Sequence, residues 1–527
     1  MYRMAAIKLE KESIKSNCKM DDKYDLIIIG SGISGLTTAL LWQKTHPHEK
    51  ILIIEKEPYP GGYVTSFERD GFVFETTQLF PDVIDIMKYM EIDLPLKQYK
   101  NDFMRRFIVE GETVREYHLP AGAENLKKAL QKEFPEDADK IAGLFDYSVD
   151  LFKQVRSLKA NSNFADKLKI PFSAPKVVKN LNMTYSELLD MFKIDNPSLR
   201  ELMETFTSFA GVPPGKASSI LTTGAMLSSI SRCFRPLGYF DGFPAAMASN
   251  FQKRGGELLL NTEIKEIVIE EGAATAVKIG NETVKAARII TTIDPMVAMH
   301  KLVGDENLPK KYLNKLDGII MSSSSFNVSL GLDNRIDMSK LDMDYPYIVL
   351  STELGTTDRL FDAFLKGENG FSEKCFHLGV ICPSLTTGGK NTITIRAVPF
   401  APADWLELRK EDPKKYKAEK DKWADFFIGV VEKYIIPDLR KHIEVIDTAS
   451  PASYARYSGS PTGSLYDMAS LVTQFGPKRL SMKTPIKNLY QPKFSHGIYG
   501  TMSGAVQVVD LLMDRKFNGG DSLFHPR

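Results

Sequence analysis

Tyr24-Asp25-Leu26-Ile27-Ile28-Ile29-Gly30-Ser31-Gly32-Ile33-Ser34-Gly35 decides how the rest of the chain is read. Its first half is a continuous, β-branched apolar run, the pattern of a strand buried on both faces of a parallel sheet. The run stops at a Gly-x-Gly-x-x-Gly turn. A helical pattern follows, Leu36-Thr37-Thr38-Ala39-Leu40-Leu41-Trp42, and His46-Pro47 ends it. Ile51-Leu52-Ile53-Ile54 is a second buried strand, and Glu55 closes it 20 residues beyond the last glycine. Gly30 permits the tight turn, Gly32 lets a pyrophosphate approach the backbone, and Gly35 allows the helix to pack close on the strand. Phosphate charge then lies at the helix N-terminus, where free N–H groups point at it. Glu55 is placed to take the ribose hydroxyls of an adenine nucleotide. A lone glycine motif would equally fit a plain strand-to-helix turn, but strand, helix, second strand and acid in this order point to a dinucleotide.

The next segment separates the two common dinucleotides. Glu55 is followed by Gly61-Gly62, Thr65-Ser66-Phe67 and Gly71-Phe72-Val73-Phe74-Glu75. A nicotinamide dehydrogenase has no use for a glycine pair there. In flavoproteins of the glutathione reductase type, such a pair lets the chain cross close over the dinucleotide, so the expected cofactor is FAD. No second Gly-x-Gly-x-x-Gly unit is present to hold a nicotinamide nucleotide.

With 527 residues, 43% apolar and 26% charged, the chain is a folded globular protein rather than a disordered or fibrous one. Lys plus Arg (68) against Asp plus Glu (67) leaves +1, so no global charge draws it to nucleic acid. Cys18, Cys233, Cys375 and Cys382 have no metal-ligand spacing, and their sparse use fits a reducing compartment. No apolar run approaches the roughly 18 residues of a membrane-spanning helix, and Met1 to Asp22 lacks the apolar core of a secretory signal. The expectation is a cytoplasmic protein able to sit on a membrane surface. Residues 80–235 read as mostly helical, with strands at Glu257 to Leu260, Ile264 to Ile269, Thr275 to Ile279, Arg288 to Ile290, Ser325 to Leu332 and Thr392 to Val398. Helices are expected from about Pro413 to Tyr434 and from Thr501 to Leu512.

Taken together, these pieces resemble the phytoene desaturase superfamily of FAD-dependent, amine-oxidase-like flavoproteins, closest to its carotenoid isomerase and retinol saturase branch. The resemblance rests on the glycine turn, Glu55-x5-Gly61-Gly62 with Thr65-Ser66-Phe67, Gly255-Gly256-Glu257 with Ile264-Lys265-Glu266-Ile267, and Thr292-Ile293-Asp294-Pro295. It continues through Ser325 to Leu332, through Thr448 to Tyr466 with Arg456-Tyr457, and through Pro485-Ile486-x-Asn488-Leu489-Tyr490 and Gly497-x2-Gly500-x3-Gly504. It implies an α/β fold: a glutathione-reductase-type Rossmann domain built from discontinuous segments (23–100, 241–300 and 448–515), with an inserted α+β substrate domain. That insertion would comprise a helical substrate or lid region at 101–240 and a mixed sheet with helices at 301–447. Residues 1–22 are then a flexible leader and 516–527 a tail.

The resemblance also assigns FAD contacts to Gly30, Gly32, Ile33, Ser34, Gly35, Glu55, Lys56, Gly61, Gly62, Thr65, Ser66, Ile267, Gly497, Gly500 and Met502. His496 and Tyr499 sit beside the glycines expected near the flavin ring and are candidates to protonate a carbon or polarise a carbonyl; Arg456 is a candidate to balance charge on a reduced flavin. Three departures from the family pattern stand out. Gln491-Pro492-Lys493-Phe494-Ser495 replaces a Gly-acid segment and is about three residues shorter, Asp241-Gly242 replaces a glycine pair, and Thr77 replaces a glycine. Lys493 is a candidate phosphate partner in place of the missing segment.

No Ser/His/Asp order, metal-binding His pair or carboxylate dyad stands out among the residues. That fits a hydrocarbon substrate, for which the cofactor supplies the chemistry and the protein a dry apolar tunnel. Phe80, Phe103, Phe107, Phe206, Phe209, Phe234, Tyr239 and Phe240 are candidates to line it, with ordinary core packing as the alternative for each. The implied substrate is a polyene or other isoprenoid lipid, desaturated or saturated with FAD. A redox-neutral isomerase or hydratase using reduced FAD is the second reading, and a lipid-binding relative without flavin the third. Lys153–Lys179 holds seven basic residues, one acid and several large apolar side chains, a composition suited to peripheral contact with anionic lipid. The electron partner is left open.

Overall fold

The computed structural model describes residues 21–77, 80–99, 102–158, 164–352, 355–400, 405–492 and 497–513. Strand Lys23–Ile29 lies at the centre of the first sheet. It pairs in parallel with Ile51–Ile54 on one side, Leu26 opposite Ile51 and Ile29 opposite Ile54, and with Glu282–Thr291 on the other. Across the sheet the order is Ile264–Glu270, Ala273–Ile279, Glu282–Thr291, Lys23–Ile29, Ile51–Ile54, Glu257–Leu259, and the short strand Leu489–Tyr490 pairs in parallel with Glu282–Thr291. Three stretches of sequence far apart in the chain thus share one sheet.

The helix Ile33–Thr45 is apolar around its whole circumference, which is stable only when every face is covered. One face covers the sheet, and the helices Gly242–Lys253 and Gly497–Met513 cover the rest. Leu36, Leu40 and Leu41 are fully buried there. Trp42 is also buried, and its indole N–H donates to Glu49 at 2.7 Å.

The second sheet runs Ile443–Ala449, Phe326–Leu332, Asn391–Ala397, His377–Ile381, Tyr347–Thr352, Asp102–Glu110, Thr113–Pro120. All its pairs are antiparallel except Tyr347–Thr352 with Asp102–Glu110. One face packs on helix Pro413–Tyr434 through Val328, Leu330, Ile395, Leu378, Leu350 and Phe107. The other face carries Asn327, Ser329, Thr394, Arg396, Gly379 and Arg106.

The hairpin Asp102–Glu110 and Thr113–Pro120 corrects the helical expectation for 80–235. Its first strand is buried on both sides, with Met104 and Ile108 in one core and Phe107 and Val109 in another. No apolar–polar alternation therefore marks it in the sequence. The remaining helices of this region, among them Ala138–Ser157 and Ser219–Ser229, form a cap whose core includes Phe103, Phe145, Leu202 and Phe206.

Candidate functional site

The glycine turn has the geometry its sequence calls for. Gly30 has φ +99°, and a Cβ on Gly35 would lie 2.0 Å from the Gly30 carbonyl oxygen, so neither position takes a side chain. Gly32 differs: its backbone is extended (φ −63°, ψ 174°), and a Cβ there would meet only Gly62 Cα, at 4.0 Å. The space over Gly32 is open. No side chain caps the helix Ile33–Thr45, so the N–H groups of Ser34 and Gly35 remain for a ligand. Gly61 and Gly62, both at positive φ, lie against this turn, with Gly61 N–H donating to Ser31 O at 3.0 Å.

Glu55 is 8% exposed. Its Oε2 accepts from the Ser31 N–H (2.8 Å) and hydroxyl (2.9 Å), and its Oε1 from Glu57 N–H (3.0 Å). Three of the roughly four acceptor sites of a carboxylate are thus used within the chain, which fixes the group and leaves about one for a ribose hydroxyl. Lys56 is exposed at the rim near Gly459. Thr65 and Ser66 brace the neighbouring hairpin: Thr65 N–H donates to Thr76 Oγ1 at 3.1 Å and Ser66 Oγ to Glu75 Oε2 at 2.8 Å. The side chain of Ile267 lies in the core behind the sheet, and that of Met502 in the core around the first helix.

Tyr63, Tyr347, Tyr466, Asp467 and Tyr499 keep part of their surface accessible, while burial raises the pKa of each. Gly379, in a central strand of the second sheet, keeps accessible surface as well. Tyr347 packs edge-on against Phe103 (5.2 Å between ring centroids) and tilted against Phe209 (4.8 Å). These rings form one aromatic cluster. Phe80, Phe234 and Phe240 belong instead to the core around the first helix, and Phe107 lies on the opposite face of the second sheet.

Two carboxyl groups are pushed up by burial. Glu75 accepts from Phe240 N–H (3.2 Å), Ser66 Oγ and Arg235 Nη2 (3.4 Å); burial pushes its carboxyl up to about 7 although Arg235 opposes the rise. This knot ties the 66–75 hairpin to the segment before helix Gly242–Lys253. Asp467 is also pushed up to about 7, by burial and then by the charge of Asp294, with Arg479 opposing. A carboxyl held there can keep or release a proton near neutrality.

Tyr499 is half-buried, and burial raises its hydroxyl to about 12 while the Arg156 charge lowers it. Arg456 projects from helix Pro451–Ser458 into solvent. Gly497, at φ +62°, and Gly500 open the C-terminal helix. His496 and Lys493 lie outside the described residues. Sequence reasoning gave no role to Glu75, Arg396 or Asp467, although Glu75 closes the quoted Gly71–Glu75 segment and Asp467 directly follows Tyr466 of the family-like stretch.

Residues 33–407 match the family model of flavin containing amine oxidoreductases. The chain belongs to this flavoprotein family. Among curated relatives it is 23% identical to an all-trans-retinol 13,14-reductase of Danio rerio over 544 residues, covering 95% of this chain and 88% of the relative. It is likewise 23% identical to a chloroplastic prolycopene isomerase of Daucus carota over 464 residues, covering 84% and 71%. The solved structure of cyclohexylamine oxidase from Brevibacterium oxydans shares the fold, with a TM-score of 0.58 at 13% identity over 93% of this chain and 99% of that one. The chain is therefore a flavin-dependent oxidoreductase by family, with FAD as its cofactor. The residues present fit that group at the nucleotide end: the uncapped helix start, the open space over Gly32 and the fixed Glu55 carboxylate meet the needs of a pyrophosphate and a ribose. Among the described residues no cluster of metal-ligating side chains occurs, and no helix is long and apolar enough to cross a membrane.

Proposed function

We propose that this flavoprotein acts on the carbon–carbon bonds of a long hydrophobic polyene or other isoprenoid lipid, saturating or desaturating it. The observation that supports the reading is the aromatic cluster of Tyr347, Phe103, Phe206 and Phe209, with Tyr466 close to Tyr347. Bound FAD supplies hydride or electron transfer that the side chains cannot. The chain's own contribution is to hold the pyrophosphate at Ser34 and Gly35, to exclude water with the aromatic cluster, and to place Asp467 and Tyr499 where a proton is held. The relatives carry names of both kinds, one a reductase and one an isomerase, and this favours a second reading in which the same site shifts double bonds without net electron transfer.

Two features support lipid access through the 153–179 stretch. Leu168 is 60% and Phe172 87% exposed on the helix Phe164–Ser173, next to the exposed Lys169. The charge of Arg156, in the same stretch, reaches the Tyr499 hydroxyl at the start of the C-terminal helix.

The deciding experiment is anaerobic incubation of the purified yellow protein with a polyene while the flavin absorbance is followed. Bleaching or recolouring in proportion to product establishes net redox; product at constant absorbance establishes isomerisation or hydration. Polyene bound without product and without any change in absorbance would overturn both.

A further inference from the structure

The face of the second sheet opposite helix Pro413–Tyr434 carries a row of polar side chains, which a pure hydrocarbon would not require. Strand registry puts one row across it: Asn327 opposite Arg396, Arg396 opposite Gly379, Gly379 opposite Val349, and Val349 opposite Arg106. Residues directly opposite share a face, so the row holds two buried arginines separated by Gly379 and Val349.

The two arginines are not equivalent. Arg106 is fully buried and pairs with Glu201 at 2.6 Å, with Ser351 Oγ at 2.7 Å beside it. Arg396 is 9% exposed, and its Nη2 donates to the Thr76 carbonyl at 2.8 Å. Among the described residues it has no carboxylate within ion-pair distance, and its buried Nε has no partner. A guanidinium this deep without a counterion is costly, and the usual remedy is an anion. Its surroundings narrow the choice. Arg396 lies close enough to the Tyr347 and Tyr466 hydroxyls for its charge to favour their ionised forms against burial. Both rings keep part of their surface accessible, and Tyr347 packs into the Phe103, Phe206 and Phe209 cluster.

Resting on the reading above that the substrate is a long hydrophobic chain, we propose that Arg396 is the anchor for an anionic end group, so that the substrate is an amphipathic acid with a carboxylate terminus rather than a neutral lipid. The carboxylate supplies Arg396 with the counterion that Glu201 supplies to Arg106 through its Nη2, while the apolar chain runs along the aromatic cluster. Arginine suits this role because its fork of donors matches a carboxylate.

Equilibrium binding of two probes that differ only at the end group, all-trans-retinoic acid and all-trans-retinol, tests the assignment in the FAD-loaded protein. The wild-type chain is expected to bind the acid about 10- to 100-fold more tightly than the alcohol, the range for a hydrogen-bonded charge. Arg396→Gln, which keeps a donor for Thr76, should bring that ratio close to one, Arg396→Lys should restore part of it, and bound FAD should stay at the wild-type level. Equal affinity for both probes in the wild type overturns the anchor and leaves the hydrophobic-substrate reading standing. Loss of FAD from Arg396→Gln with an unchanged ratio also overturns it, by making the cofactor the anion. Failure of both probes to bind the FAD-loaded wild type overturns the hydrophobic-substrate reading and the anchor with it.

Discussion

Replacing Gly32 by valine separates the cofactor site from the fold, because the structure gives its three neighbouring glycines different reasons to be glycine. Gly32 has an extended backbone that any residue adopts, and a Cβ there finds its nearest neighbour at 4.0 Å. The fold should therefore accept the side chain, at a cost of about 1 kcal/mol or less for the change at a helix N-cap. The branched side chain would nevertheless fill the space in which a pyrophosphate reaches the N–H groups of Ser34 and Gly35. Each hydrogen bond to a charged oxygen contributes about 1.5–3 kcal/mol. Losing two gives ~3–6 kcal/mol, or roughly 10²- to 10⁴-fold weaker FAD binding. Gly35→Ala is the contrasting variant: its Cβ would sit 2.0 Å from the Gly30 oxygen, so strand and helix must separate and the protein should misfold. The assay is FAD titration of deflavinated protein by fluorescence quenching, together with thermal unfolding of the apoprotein. Gly32→Val should unfold within a few degrees of wild type and fail to retain flavin through gel filtration. A Gly32→Val protein that purifies with full flavin refutes the placement of the pyrophosphate. One that is unfolded refutes the claim of open space.

Two further outcomes follow from buried charge and exposed apolar surface. Burial raises Asp467 to about 7 in the folded protein, against about 3.9 in an unfolded chain, so it contributes fully below about pH 4 and costs stability as pH rises through about 7. Asp467→Asn should be more stable than wild type at pH 8, by on the order of 4 kcal/mol at most, with the difference gone by pH 4; thermal melts in which the two proteins keep a constant gap from pH 4 to 8 would contradict the burial of a neutral carboxyl. Exchanging Leu168 and Phe172 together for serine should weaken sedimentation with vesicles of three parts phosphatidylcholine to one part phosphatidylserine by about 10- to 100-fold, as expected for withdrawing two large apolar side chains from lipid. Unchanged sedimentation would remove this surface from the membrane proposal.

The strands and glycine turn of residues 23–55 were legible because their determinants are local. A continuous β-branched run, three glycines within six positions and an acid ending the next strand state their geometry within one short stretch, and the helix Pro413–Tyr434 was readable for a similar reason. The hairpin at 102–120 was not, since burial on both faces erased its alternation.

What the sequence determined by itself is a nucleotide-binding turn and the family to which the chain belongs. Whether a buried ionic group is neutralised was decided by tertiary structure alone. Arg396 meets Thr76 from 320 positions away, Glu75 meets Arg235 across 160, and Arg106 finds Glu201 across 95. An arginine in a strand pattern has the same letters whether or not a carboxylate faces it. Its energetic state depends on which distant segment covers it, and only the folded chain sets that.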